Sequence, residues 1–199
     1  MFMDATKKIT ALFDCDGVIV DTEGQYTVFW NEMGQKYVND ANFGSKVKGQ
    51  TLVQIYDKYF AGESEKQRDI TEALNRFEIK MNYDYVPGIV EFIADLRRHG
   101  VKIALVTSSN TAKMENVYHA HPEFKSLFDE ILTAERFKRS KPDPECFLLG
   151  MTIFGSDSKI RMCSKIHFMV CRPVDHPEPL LSDWQLRIHA KPLPTRQTM

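Results

Sequence analysis

The stretch LFDCDGVIVDTE, Leu12 to Glu23, sets four acids in twelve positions directly behind an apolar run. Carboxylates this close repel one another and lose solvation where a buried strand ends. Asp14 and Asp16, with Asp21 and Thr22 just beyond, therefore call for a cation, a proton or a reaction. Alternation along an extended chain points Asp14 and Asp16 to one side and Cys15 to the other. Two further segments carry compatible chemistry. VKIALVTSS (Val101 to Ser109) ends in Thr107 and Ser108, hydroxyls able to donate to an anionic oxygen. RSKPDPE (Arg139 to Glu145) sets Lys141 ahead of two prolines that stiffen its loop, a fixed cation. Singly these features are ordinary: a lone DxD is most often a solvated turn, and a Thr-Ser pair after a strand a helix cap. In combination they describe a site for a phosphate ester with a hard divalent cation.

The elements that must position these groups follow from periodicity. KITALFD (Lys8 to Asp14) reads as a short strand, and the continuous apolar run of VKIALVTSS as a strand buried on both faces. EILTA (Glu130 to Ala134) reads as a third, so that acids, hydroxyls and lysine each follow a separate strand. Helices are expected in VPGIVEFIADLRRHG, with Pro87 near its start and Gly100 at its end, around Thr111 to His121, and in PECFLLGMTIFG. Strand and helix by turns imply an α/β fold, a doubly wound parallel sheet with a Rossmann-like core, whose ligands gather beyond the carboxyl ends of the strands. Between Thr22 and about Tyr85 the text is helical and amphipathic throughout: YTVFWNEMGQKY, TLVQIYDKYFAG and SEKQRDITEALNRFEIKMNY. The division expected is a core of 1–21 and 86–155, a helical insertion of 22–85 after the first strand, and an atypical, poorly ordered tail of 156–199.

The 199 residues, 43% hydrophobic, suffice for one sizeable core. A net charge of −1 gives no reason to expect nucleic acid or an anionic membrane as partner. No apolar run reaches membrane-spanning length, and the first residues have no signal-peptide pattern, so a cytoplasmic protein, monomeric or weakly dimeric, is expected. Cys15, Cys146, Cys163 and Cys171 lack CxxC spacing and read as free thiols.

On these residues the chain resembles the haloacid dehalogenase-like phosphohydrolases, in particular the branch of β-phosphoglucomutase and small sugar-phosphate phosphatases. DCDGVIVDTE matches the first motif of that family, DxDGxxxDT; ALVTSS matches the second and KPDPE the third, over roughly residues 8 to 155. The resemblance implies Asp14 as nucleophile, forming an aspartyl-phosphate, and Asp16 as general acid and base. It implies Thr107 and Lys141 as holders of the transferring phosphoryl group, and Gly17, Thr22, Ser108 and Asn110 as substrate-binding neighbours. Magnesium (Mg2+) is implied on Asp14 and the backbone carbonyl of Asp16. Residues 22–85 become the cap that closes over a small phosphorylated metabolite, with a sugar phosphate favoured.

The family's fourth motif, one or two acids after a further strand, is missing. Residues 156–199 hold five of the nine prolines and three of the six histidines, and carry +3 against −4 for the rest. A shifted reading frame accounts for the change. Joining the last base of each codon to the first two of the next, from Arg161 onward, Met162 and Cys163 force valine, and Met169 and Val170 force glycine. Permitted synonymous codons then allow Y-V-F-E-D-S-F-H-G-L-Q-A-G, the missing motif in register. As written, the chain loses an anionic oxygen for magnesium, and activity is expected to fall sharply. The loss also exposes an edge of the first strand, which KIHFMVC alone offers to fill, with Asp175 as a late acid.

Substrate choice rests on two departures. After Lys48 and Gly49 the mutases carry an arginine for a second phosphate, where this chain has Gln50, Thr51 and Leu52; a mutase histidine is replaced by Tyr26. Both favour a phosphatase over a phosphosugar mutase, unless Lys46, Lys48 or Arg76 grips a second phosphate. A catalytically inactive phosphate-binding product and a helical interaction module are the alternatives of another class.

Overall fold

The structure, a computed structural model, describes residues 9–155 apart from Pro142, together with the backbone of 160–163 and 168–171. The expected tail, including Asp175, otherwise lies outside the described residues. Strand β1 (Thr10–Phe13) is buried along its whole length and leads into the acid cluster. Helices α1 (Glu23–Val38), α2 (Phe43–Val47), α3 (Leu52–Tyr59) and α4 (Ser64–Lys80) follow without an intervening strand. Then come α5 (Ile89–Arg98), β2 (Lys102–Val106), α6 (Thr111–Ala120), β3 (Glu130–Leu132) and α7 (Glu145–Phe154). Last are β4 (Ile160–Cys163) and β5 (Phe168–Cys171).

Strands β1, β2 and β3 form the expected parallel sheet, with Phe13 opposite Leu105 and Val106 opposite Leu132. The two-residue period of the strands explains the layers. Ala11, Phe13, Ile103 and Leu105 face one core with α5 and α6, whereas Leu12, Ala104 and Val106 face a second with α7. Gly150 lets α7 approach closely, since a Cβ there would meet Leu12 Cδ2 at 3.1 Å. Helices α1 to α4 bury a third, separate core around Phe29, Phe43, Phe60 and Ile70, with the rings of Phe43 and Tyr59 crossing edge to face at 4.8 Å.

The far side of β1 differs from the all-parallel expectation. The sheet order is β3-β2-β1-β5-β4, and β5 pairs antiparallel with β1 while β4 pairs antiparallel with β5. Four residues separate β4 from β5, too few for the crossover a parallel pair needs, so the two form a hairpin. The expected exposed edge of β1 is thereby covered, with Phe168 opposite Phe13 and Cys171 opposite Thr10.

The two chain crossings between helices α1–α4 and the sheet lie side by side. Asp21 N donates to Asp84 O (2.8 Å) and Val86 N to Ile19 O (2.9 Å), and Gln25 clasps the backbone of Asn82 through both its amide atoms (2.7 and 2.9 Å).

Between β2 and β3 the sheet is held by a carboxylate. Asp129 accepts from Ile103 N (2.9 Å) and Lys102 Nζ (2.7 Å). Burial pushes its carboxyl up, but the bonds from Lys102 and Ile103 outweigh this and hold it below its ordinary value of 3.8. A depressed carboxylate stabilises above its ordinary pKa, and that stabilisation drains as pH falls through the folded value. Asp129→Asn is expected to cost about 1–3 kcal/mol and roughly 3–8 °C in Tm at pH 7. In thermal melts across pH, the gap between parent and variant should close only below about pH 3.8.

Candidate active site

Asp14 stands one residue beyond β1, where its Oδ1 accepts from Cys15 N (2.7 Å) and pairs with Lys141 Nζ at 2.6 Å. Lys141 also donates to Val106 O (3.0 Å), which ties the loop before α7 to the end of β2. The acid and the lysine, 127 positions apart in sequence, thus meet because β1 and β2 are neighbours and α7 packs across both. Both side chains are about one-fifth exposed, so the pair is desolvated on the protein side and open on the other.

The chain then turns sharply. The carbonyl of buried Cys15 accepts from Val18, Ile19 and Val20 N, and Gly17 adopts φ +70°, in the left-handed region that glycine enters without cost. This turn presents Asp16 to three donors. Its Oδ1 accepts from Thr22 Oγ1 (2.6 Å) and Lys113 Nζ, and its Oδ2 from Ser109 Oγ (3.0 Å). Burial pushes the Asp16 carboxyl up, but the Lys113 charge and the three hydrogen bonds hold it below the usual carboxylate range. Burial equally disfavours the Lys113 ammonium, and the Asp16 charge more than reverses that. Burial pushes the Cys15 thiol far up, which leaves it inert.

A cavity of about 320 Å³ opens over these groups, between the sheet and helices α1–α4. Asp14, Asp16, Ser108, Asn110, Lys113 and Lys141 line its sheet side, and Tyr26, Trp30, Lys48, Leu74 and Glu78 are among those lining the other. Of the candidate residues, the structure brings Asp14, Asp16, Lys141, Ser108 and Asn110 to this one cavity. Thr22 is buried behind it as a ligand of Asp16, and Gly17 serves the turn. Thr107 is fully buried and accepts from Ser109 N (3.0 Å), so it shapes the loop after β2 and lies behind the lining. Asn110 caps α6, its Oδ1 accepting from Lys113 N (2.9 Å).

The residues fit a hard divalent cation. Both bonds of Asp14 fall on Oδ1, and among the described residues no cluster of three or more metal-ligating side chains occurs. The Asp16 carboxylate accepts three hydrogen bonds on its two oxygens, and its backbone carbonyl is the second donor that the family resemblance implies. One carboxylate and one carbonyl, completed by water and phosphate oxygens, is a donor set that magnesium accepts.

Three residues escaped the sequence reading as site members: Lys113, Ser109 and Glu78. Lys113 had a signal. A lysine in the first turn of a helix opposes the helix dipole and needs a counter-charge, which Asp16 supplies.

Known proteins share sequence and fold with this chain. The family model described as haloacid dehalogenase-like hydrolase matches residues 11–161. Hexitol phosphatase A of Escherichia coli (strain K12) is 27% identical over 152 residues, 72% of this chain and 68% of that protein. β-Phosphoglucomutase of Bacillus subtilis (strain 168) is 26% identical over 155 residues, 69% and 66% of the two chains. The chain therefore spans about two thirds of the length of these curated relatives. A solved HAD hydrolase (family IA, variant 3) of Entamoeba histolytica superposes with a TM-score of 0.60 at 17% identity, covering 72% of this chain and 69% of that one.

Gly17 generates a test of the turn. An alanine there would hold a left-handed backbone at a cost of about 1–2 kcal/mol, and its Cβ would fall 2.5 Å from Glu23 Cγ. Gly17→Ala should lower Tm in thermal melts, and Glu23→Ala in the same background should not restore it, because the backbone strain persists.

Proposed function

Because the chain belongs to the haloacid dehalogenase-like hydrolase family, we propose that its site is that of a magnesium-dependent phosphohydrolase working through an aspartyl-phosphate on Asp14. The substrate class is small phosphorylated metabolites, with sugar phosphates foremost. The observation that carries the reading is the Asp14–Lys141 pair at 2.6 Å on the wall of a cavity that also holds Asp16.

Asp14 attacks the phosphorus of the ester; the bond to the leaving oxygen breaks and that oxygen takes a proton from Asp16. Water, deprotonated by Asp16, then cleaves the acyl phosphate and returns Asp14 as carboxylate. Lys141 offsets the charge gathered on the phosphoryl oxygens, and the Ser108 hydroxyl and backbone beside it offer donors. Magnesium, held by the Asp14 carboxylate and the Asp16 carbonyl, would supply Lewis-acid neutralisation of the phosphate. Residues 22–85 act as the cap that excludes water. Asp16 as placed is in its ionised form, suited to activating water; the acid role requires it to leave Lys113.

Phosphatase chemistry is favoured over mutase chemistry by the state of the cations. Lys48, Lys113 and Lys141 line the cavity and each is paired, with Glu23, Asp16 and Asp14. Lys46 pairs with Asp40 and Arg76 with Glu72. Lys46, Lys48 and Arg76 are thus each engaged with a carboxylate, and Gln50, Thr51 and Leu52 offer no charge to a second phosphate.

A further observation supports impairment of this chain. The family match stops at Arg161, the residue from which the neighbouring frame can spell the fourth motif. In phosphate release from an aryl phosphate with magnesium, Asp14→Asn should lower kcat by at least about 1000-fold, as removal of a covalent nucleophile does. Chelation should abolish release, and replacing residues 161–173 by YVFEDSFHGLQAG should raise it about 10-fold or more, the worth of one charge-bearing ligand at about 1.4 kcal/mol. Equal rates for parent and Asp14→Asn would overturn the proposal.

A further inference from the structure

One carboxylate on the cavity wall has no part in the mechanism above. Glu78 lies half-buried on α4, where its Oε1 accepts from the Tyr26 hydroxyl at 2.7 Å. Among the described residues no donor reaches its Oε2, and neither oxygen forms an ion pair. The Tyr83 hydroxyl donates to the Glu78 carbonyl (2.7 Å), so backbone and side chain are both fixed. Burial pushes this carboxyl above its ordinary value of 4.5, against the Tyr26 hydrogen bond and the Lys113 charge, which pull it down. Among the described residues that line the cavity, Asp14, Asp16, Glu23 and Glu78 face Lys48, Lys113 and Lys141, four negative charges against three positive. The pairs Asp14–Lys141, Asp16–Lys113 and Glu23–Lys48 close on themselves, and Glu78 is the remainder.

We infer that Glu78 is a specificity-determining residue whose Oε2 takes a protonated amine carried by the leaving group, so that the ester is the phosphate of an amino sugar or an amino alcohol. The inference rests on the phosphohydrolase reading of the site and names its substrate class more narrowly. A divalent cation and a phosphate dianion cancel one another in charge, so loading the site with both leaves the remainder at Glu78 unchanged. A half-buried carboxylate without a partner is costly, and a positive charge in the ligand removes that cost. A hydroxyl in the same place would leave the charge uncompensated, and a second phosphate or a carboxylate would meet it with like charge. Tyr26 holds Oε1 in place and leaves the other oxygen to the ligand. Trp30 lines the same side of the cavity, and an indole attracts cations more than any other side-chain ring.

Two matched pairs of esters test this on the full chain with magnesium: glucosamine 6-phosphate against glucose 6-phosphate, and phosphoethanolamine against 2-hydroxyethyl phosphate. Within each pair an ammonium replaces a hydroxyl and nothing else changes. In at least one pair kcat/KM should be about 10-fold higher for the ammonium member, the worth of a hydrogen bond between charged groups. The pair that shows it decides between amino sugar and amino alcohol. Glu78→Gln should bring that ratio close to one, and a general loss of folding or catalysis in the variant falls on both members alike and cancels. Should Glu78→Gln fail to fold, Glu78→Met carries the same comparison. Equal kcat/KM within both pairs in the parent, or a ratio that survives in the variant, overturns the inference. If the chain hydrolyses none of the four esters, the same ratios are read as Kd by calorimetric titration, and no binding of either ammonium member overturns it as well. p-Nitrophenyl phosphate separates the two ideas. If the parent releases nitrophenol and Asp14→Asn does so equally fast, the phosphohydrolase reading fails first and takes this inference with it. If Asp14 is needed and neither pair shows a preference, the inference about Glu78 fails alone.

Discussion

Everything in this site depends on compensating two carboxylates placed two residues apart at the buried end of one strand. Two carboxylates so placed call for positive charge within contact, and the fold delivers it from two directions. Lys141 comes from the loop before α7 and meets Asp14; Lys113 comes from the first turn of α6 and meets Asp16. The two pairings differ in exposure. Lys141 and Asp14 are each about one-fifth exposed, whereas Lys113 is almost wholly buried where it lines the cavity beside Asp16.

The helices over the sheet form a unit of their own, outside the sheet. Their aromatic core is separate from the two cores that sandwich β1 and β2, and the chain reaches them through two crossings laced by backbone bonds and Gln25. Gly34 shows how tightly they pack: a Cβ there would fall 2.1 Å from that of Phe43, so α1 and α2 meet only because this position has none.

Much of this was legible in the residues themselves. Acids, hydroxyls and lysine each followed an apolar run, and strand ends in a parallel sheet must converge, so Asp14, Asp16, Ser108 and Lys141 could be brought together by topology alone. Thr107 illustrates the limit: its position at the end of β2 was plain, but whether its hydroxyl faces a ligand or the loop's own Ser109 N–H depends on one turn. Lys113 was missed because a lysine on a short helix normally marks a solvated face, and its place in the first turn, against the helix dipole, was the one signal to the contrary. The antiparallel hairpin of β4 and β5 was missed because the family pattern called for a parallel neighbour to β1, and the four-residue connection that forbids one was not weighed.

The most direct test of the central claim is chemical trapping of the phosphoryl group. The chain is mixed with substrate and magnesium, quenched in acid, reduced with borohydride and digested, and the peptide containing residue 14 is sequenced by mass spectrometry. The account predicts that the Asp14 carboxyl is recovered as the reduced alcohol, homoserine, only when substrate was present. Phosphate released with residue 14 still an unreduced aspartate, and the reduced residue found elsewhere, would contradict it.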